Sequence, residues 1–322
     1  MIFAHLLRIS CFGFVAMTLC LTGITHASNV TQTNNNGIIA LQNASGDPMR
    51  AGKVKLEYYG HMAFRIITPN GLSMLIDPWK NDPSGTWGIW FPKEFPLTKA
   101  DIAASTHGHY DHNALNRVVS HMVIDRMAGQ WTLSDLRVTG IADKHQYEAP
   151  GLVRWTELFA ERGITHVPPN NPPILDNTIF IIETGGLRIV HWGDNRPDAP
   201  EAVYKAIGRA DNQEEHPEID SKDMGRTSIV FLPIDDSVHV LNGQQIRTIL
   251  DKLQPHVVIP THYLIKNVSS VASTLHTADK WVATQPSVKN VASSIVVTPE
   301  QIKKFNGHVL YFGQNVMGDP QQ

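Results

Sequence analysis

Cysteine is nearly absent from this 322-residue chain: the two present, Cys11 and Cys20, both lie in its first apolar run. If that run is removed on export, no thiol remains, and disulfides, zinc fingers, iron–sulfur clusters and cysteine nucleophiles drop out together. A basic excess is also lacking. Lys and Arg number 27 against 30 Asp and Glu, a net charge of -3, so nucleic acid is not expected as the main partner. No second long apolar run follows the first, and charged residues make up 18% against 42% hydrophobic, the balance of a folded globular protein. What the chain has in quantity is histidine, sixteen in all.

Met1 to Arg8 carries one side-chain cation and no acid, Ile9 to Ile24 is almost entirely apolar, and Thr25-His26-Ala27 supplies a small residue at the exit. This is the layout of a secretory signal peptide over residues 1–27. An uncleaved anchor is the competing reading, but the run falls short of the roughly 20 residues a spanning helix needs. The expected location is the periplasm or the exterior, with no stable transmembrane anchor. Residues 28–52 are rich in Asn, Thr, Gln and Gly and read as a flexible polar leader. The folded domain is expected over 53–322.

Within that body, short apolar or β-branched runs are bounded by turn residues. Val54–Tyr59, Ala63–Thr68 and Leu72–Asp77 suit an antiparallel meander, and Gly185-Gly186 marks a hairpin between Thr178–Glu183 and Leu187–Trp192. Further strands are expected at Asp101–Ser105, Leu136–Ala142, Thr227–Leu232 and His256–Pro260. Gln244–Leu253 carries Ile246, Ile249, Leu250 and Leu253 in one helical stripe, and Ala199–Ile207 opens with Pro200, a second helix. Meanders followed by alternating strands and helices predict a layered α/β body. Two aromatic, proline-rich stretches, 78–98 and 146–177, are expected to pack over the core, with an apolar wall beside a site as the competing reading.

The chemistry concentrates in Ser105-Thr106-His107-Gly108-His109-Tyr110-Asp111-His112, directly after an apolar strand. Alternate residues of an extended segment point the same way, so His107 and His109 can grip one ion while Asp111 and His112, past the turn, face a second. Imidazole and carboxylate suit zinc, manganese or iron. Three more strands end on a candidate ligand: Leu136–Ala142 before Asp143-Lys144-His145, Leu187–Trp192 before Gly193-Asp194, and His256–Pro260 before Thr261-His262. Strand exits of a layered sheet converge on one edge. His107, His109, Asp111, His112, His145, Asp194 and His262 are therefore expected in one cleft, with Asp194, whose carboxylate has two oxygens to share, as the natural bridge. The other histidines, including His121, His191, His276 and His308, are expected to be structural or exposed. His61 and His239 are the weaker candidates for holding the substrate or protonating its leaving group.

Thr-His-Gly-His-Tyr-Asp-His resembles the His-x-His-x-Asp-His signature of the metallo-β-lactamase superfamily. The resemblance continues through Tyr59-Gly60-His61, Leu75-Ile76-Asp77-Pro78-Trp79, Asn177-Thr178-Ile179-Phe180, the run Gly186 to Asp194, and Val258-Ile259-Pro260-Thr261-His262-Tyr263. Its flavour is that of the ascorbate-6-phosphate lactonase-like branch, with the N-acylphosphatidylethanolamine phospholipase D-like branch near it. The resemblance implies an αββα sandwich with a dinuclear site, His107, His109 and His145 on one ion, Asp111, His112 and His262 on the other, and Asp194 between them. It departs in the stretch from His145 to Asn177, longer than the branch leads one to expect, where His166 competes with His145 for its place, and where a glycine-rich segment usually follows a core strand: here the chain reads Pro233-Ile234-Asp235-Asp236-Ser237-Val238-His239.

The expected function is an exported hydrolase that turns a metal-activated hydroxide on an ester, lactone or phosphodiester, with Asp111 orienting the water and taking its proton. Two divalent ions are expected, zinc by default and manganese or iron compatible, with a small-molecule or lipid-like substrate. Competing readings are a binding module that keeps the site without turnover, a phospholipase D-like phosphodiesterase, a true β-lactamase, and an amidohydrolase barrel. Asp111-His112 argues against the last.

Overall fold

The computed structural model describes residues 46–83, 89–146, 176–208, 226–234, 240–266 and 275–318. The apolar run at the start of the chain, His166, His216 and His239 lie outside these residues. Among the described residues no helix is long and apolar enough to cross a membrane.

Among the described residues there are sixteen strands, fourteen of them in two main sheets. In chain order they are β1 (Val54–Gly60), β2 (Ala63–Ile67), β3 (Ser73–Ile76), β4 (Thr98–Lys99), β5 (Ile102–Ser105), β6 (Val118–Val119), β7 (Met122–Asp125) and β8 (Gly129–Leu133). They continue as β9 (Leu136–Lys144), β10 (Asp176–Thr184), β11 (Leu187–His191), β12 (Ile229–Pro233), β13 (Val257–Thr261), β14 (Val288–Asn290), β15 (Ser294–Val297) and β16 (His308–Tyr311). The first sheet runs β15-β1-β2-β3-β5-β7 and the second β14-β16-β13-β12-β11-β10-β9-β8, while β4 and β6 pair separately. The expected meander is β1-β2-β3, and the Gly185-Gly186 hairpin joins β10 to β11 with both glycines at positive φ, as a two-residue loop requires.

The sheets face each other. Phe64 on β2 stacks on Phe231 of β12 at 4.3 Å, Tyr58 of β1 meets Phe312 at 5.2 Å, and His191 of β11 bonds the Met62 carbonyl across the interface. Val54, Leu56, Tyr58, Phe64 and Ile66 alternate into this core with no exposure. The rows between them, Glu57 and Arg65, pair on the opposite face of the first sheet, the alternation of a strand with one buried side.

Among the described residues four α-helices alternate with the later strands: α1 (Glu201–Gly208), α2 (Gly243–Leu253), α3 (Asp279–Ala283) and α4 (Pro299–Lys304). In α2 the stripe Ile246, Ile249 and Leu253 is buried, and Asn242 and Gln245 close a capping box at its start, an arrangement that stabilises a helix by about 1 kcal/mol. Arg188 of β11 holds the α1 carbonyl of Ile207 and pairs with Glu183. This ties the helix to the second sheet and satisfies a helix end. The architecture is the layered α/β sandwich expected from the sequence. Residues 46–52, counted above with the polar leader, lie against the body: Gly52 donates to the Gly185 carbonyl and Gly186 to that of Pro48.

The topology explains why ligands converge. β3, β5 and β7 run parallel, so the exits of β3 and β5 share one edge. β11, β12 and β13 are likewise parallel. β9 and β11 are both antiparallel to β10, so they point the same way.

Candidate metal centre

Asp194 Oδ2 sits at the middle of the cluster. It lies 3.3 Å from His112 Nε2, 3.3 Å from His262 Nε2, 3.4 Å from His145 Nε2 and 3.8 Å from His107 Nε2. Asp111 Oδ2 lies 3.3 Å from His112 Nε2 and 3.6 Å from His262 Nε2. His109 turns Nδ1 inward, 3.1 Å from His107 Nε2. All seven side chains expected from the sequence therefore meet. They form overlapping donor sets: His107, His109 and His145; His107, His112 and Asp194; and His61, Asp111, His112 and His262.

These separations fit a cation. Ligands about 2.0–2.1 Å from a tetrahedral ion stand about 3.3 Å from one another. The hydrogen bonds behind the ring nitrogens fit as well. Asp77 Oδ2 accepts from His112 Nδ1 at 3.0 Å, the Gln146 carbonyl accepts from His145 Nδ1 at 2.9 Å, and Thr106 Oγ1 lies 3.1 Å from His107 Nδ1. With Nδ1–H so engaged, Nε2 of each ring presents its lone pair to the cluster, the way a second layer of partners prepares histidine for metal. His112 Nε2, His145 Nε2 and Asp194 Oδ1 are buried without a hydrogen-bond partner, a costly state that a cation would relieve.

Charge points the same way. Burial holds the His107 imidazole well below its usual range and His109 down to about 3, reinforced by neighbouring imidazoles. Burial works against the Asp111 and Asp194 carboxylates, yet the histidines around them, His112 foremost, outweigh it and keep both ionised. Burial likewise works against a charged His112, and Asp194 and Asp111 overcome it. The two carboxylates thus draw positive charge into the pocket. A proton on His112 supplies it in one way, and a divalent cation in another.

Local backbone aims the ligands. Gly193, at φ 60, turns the chain out of β11, and an added Cβ there would meet Asn177 Oδ1 at 2.5 Å. Asn177 Oδ1 accepts from Asp194 N at 3.2 Å. His262 leaves β13 at φ 56. The β9 exit is clasped to the β11 exit: Gln146 N donates to the Asp194 carbonyl, and Arg196 Nη2 bonds Asp143 Oδ1 at 2.8 Å.

Asp77, Thr106 and Asn177 support the ligands and were missed as site residues. Fully buried Asp77 accepts from Thr106 N and Thr106 Oγ1, each at 2.7 Å, as well as from His112. Its signal was available: Leu75-Ile76-Asp77 is one more apolar strand ending on a polar residue. His61, a weaker candidate for holding substrate or protonating its leaving group and otherwise a structural histidine, is buried, with Nε2 3.0 Å from Asp111 Oδ2. His191 bridges the sheets, as a structural histidine. His145 stands in the cluster, and its competitor His166 lies outside the described residues. Of the 78–98 aromatics, Trp79, Phe91 and Phe95 are buried and pack together, Trp79 on Phe91 at 4.4 Å. Among the described residues Phe91 and Trp90 approach the site edge-on, Phe91 at 5.6 Å from His61 and Trp90 at 6.2 Å from His61 and 6.5 Å from His262.

A sandwich carrying strand-end histidines and carboxylates around one pocket defines the class of metal-site α/β proteins. The family described as the beta-lactamase superfamily domain matches residues 55–212. A UPF0173 metal-dependent hydrolase of Koribacter versatilis is 25% identical over 65% of this chain and 84% of its own length. One of Thermodesulfovibrio yellowstonii is 44% identical, over 19% of this chain and 22% of its own. Among solved structures, a Thermotoga maritima protein of the metallo-beta-lactamase superfamily is 19% identical, covering 80% of this chain and 98% of that one, with a TM-score of 0.49. The isothiocyanate hydrolase from Delia radicum gut bacteria is 14% identical, covering 81% and 97%, with a TM-score of 0.47. The chain is thus similar to the beta-lactamase superfamily domain over about half of its length, and metal-dependent hydrolases are among the proteins it resembles.

Proposed function

We propose that the chain is an exported hydrolase that holds two divalent cations, zinc by default, and cleaves an ester, lactone or phosphodiester in a small or lipid-like substrate. The observation that carries this reading is the set of four imidazole nitrogens within 3.3–3.8 Å of Asp194 Oδ2. His107, His109 and His145 would hold one ion, Asp111, His112 and His262 the other, and Asp194 would serve both. When bound, such ions supply Lewis acidity, lowering the pKa of a water toward about 7 and polarising a carbonyl or phosphoryl oxygen.

The chain's own residues divide the remaining work. The Asp194 side chain is 4% exposed, that of Asp111 17%. Asp111 is therefore the carboxylate that solvent reaches, placed to accept a hydrogen bond from the attacking water and then its proton. Asp77 and Thr106 hold His112 and His107 in one tautomer, which keeps their Nε2 atoms directed into the pocket. The Trp90 edge beside His61 and His262 offers an apolar contact for the substrate. Export rests on the charged start, apolar middle and small exit of residues 1–27.

Elemental analysis and a panel of esters, lactones and bis-aryl phosphodiesters test this reading. Two ions per chain are expected, with turnover lost on chelation and in Asp111→Asn and His109→Ala proteins that remain folded. Full turnover without metal would overturn the mechanism, and two bound ions with no turnover on any class would favour the binding module. Intact mass of protein recovered from cells is expected to begin at Ser28. Retention of Met1 would overturn export with cleavage.

A further inference from the structure

We infer that His61 is a positioning residue that holds Asp111 in place for the second cation, an inference that rests on the two-cation reading above. His61 closes the turn between β1 and β2 and is 1% exposed. Its Nε2 lies 3.0 Å from Asp111 Oδ2, the same oxygen that faces His112 and His262. A neutral imidazole donating Nε2–H there occupies one lone pair of Oδ2 and leaves the other directed at the cluster. A carboxylate that binds through one oxygen otherwise swings freely about its side-chain torsions, and a fixed donor removes that freedom.

The ring that provides this donor is itself immobilised. His61 has φ 55, a region unfavourable for a residue with a side chain. Such a conformation persists only where the surroundings over-determine it. Tyr58 Oη donates to the His61 carbonyl at 3.3 Å, and His262 N donates to the same carbonyl at 3.1 Å. The ring lies 4.1 Å from that of His262, with Phe91 edge-on at 5.6 Å. One residue of the first sheet therefore clasps two expected ligands, Asp111 through its ring and His262 through its backbone. The mechanism otherwise gives His61 no work, and at 1% exposure its ring presents almost nothing to solvent.

Direct ligation is the competing geometry, because His61 stands in the same donor set as Asp111, His112 and His262. Variants separate the two. Full-length wild type, His61→Ala and His61→Gln would be stripped, reloaded with Zn²⁺ or Co²⁺, and titrated against a chelator. The wild type is expected to hold two ions. His61→Ala is expected to keep the first and bind the second about 10–100-fold more weakly, the usual cost of losing an outer partner, with kcat reduced and KM little changed. His61→Gln, whose amide can donate to the same oxygen, is expected to recover most of the affinity with the wild-type Co²⁺ absorption spectrum.

Wild-type affinity for both ions in His61→Ala would overturn the inference. Failure of His61→Gln to recover, with an altered Co²⁺ spectrum, would overturn it in favour of ligation. A wild type that takes up fewer than two ions would instead overturn the two-cation reading, and this inference with it. Should His61→Ala not fold, His61→Asn replaces it: one methylene shorter than Gln, it is expected to bind the second ion weakly.

Discussion

Asp194 Oδ2 stands 3.3 Å from His262 Nε2, although the strands that deliver them, β11 and β13, are separated by β12. Both side chains cross that strand's end because the backbone turns left-handed at each exit, at Gly193 and at His262 itself. The carboxylate thereby becomes the common neighbour of imidazoles from both sheets.

Asp194→Asn removes the charge shared by those rings while keeping the shape. The expected outcome is loss of at least one ion and a fall in metal affinity beyond the roughly 100-fold that outer partners carry. Elemental analysis and chelator competition measure both. Two tightly held ions in the variant would show that Asp194 does not serve them.

Asp77→Asn tests the support beneath the ligands. The neutral amide cannot accept the bonds from Thr106 and His112 as a carboxylate does. A loss of about 1–3 kcal/mol in denaturant unfolding is expected, the cost of buried groups left unsatisfied. Metal affinity should fall about 10–100-fold. A stability loss with unchanged affinity would make Asp77 a purely structural residue.

Gly193→Ala places a Cβ 2.5 Å from Asn177 Oδ1 and 3.0 Å from Thr106 Cβ, at a φ that disfavours any side chain. Displacement of the Asp194 turn is expected, with metal content reduced more than thermal stability. Wild-type metal content would show that the turn relaxes without moving the ligand.

Phe64→Ala separates the fold from the site. Phe64 is fully buried between the sheets, stacked on Phe231, and its truncation is expected to cost about 3–5 kcal/mol. Below the unfolding transition two ions per chain are still expected, because the rings that Phe64 packs on, Tyr58, Phe231 and Phe312, are not among the expected ligands. Metal loss from a still folded variant would mean that sandwich packing sets the pocket geometry.

Much of this protein is readable from its sequence, for a physical reason that differs by element. Strands such as Val54–Gly60 and helix Gly243–Leu253 show because alternation and a helical stripe are local patterns. The short strands β14 to β16 did not, because their pairing partners rather than their own residues define them, and α3 and α4, at five and six residues, are too short to show a helical stripe. His107, His109, Asp111 and His112 announce a metal site by spacing alone, since packing gives no reason to gather them. The strand ends named His145, Asp194 and His262 as candidates, and tertiary structure decided that they join the others, that His61 contacts Asp111, and that Asp77 braces His112. Those relations depend on how strands distant in sequence align and on which way each backbone turns as it leaves its sheet, and no local pattern encodes either.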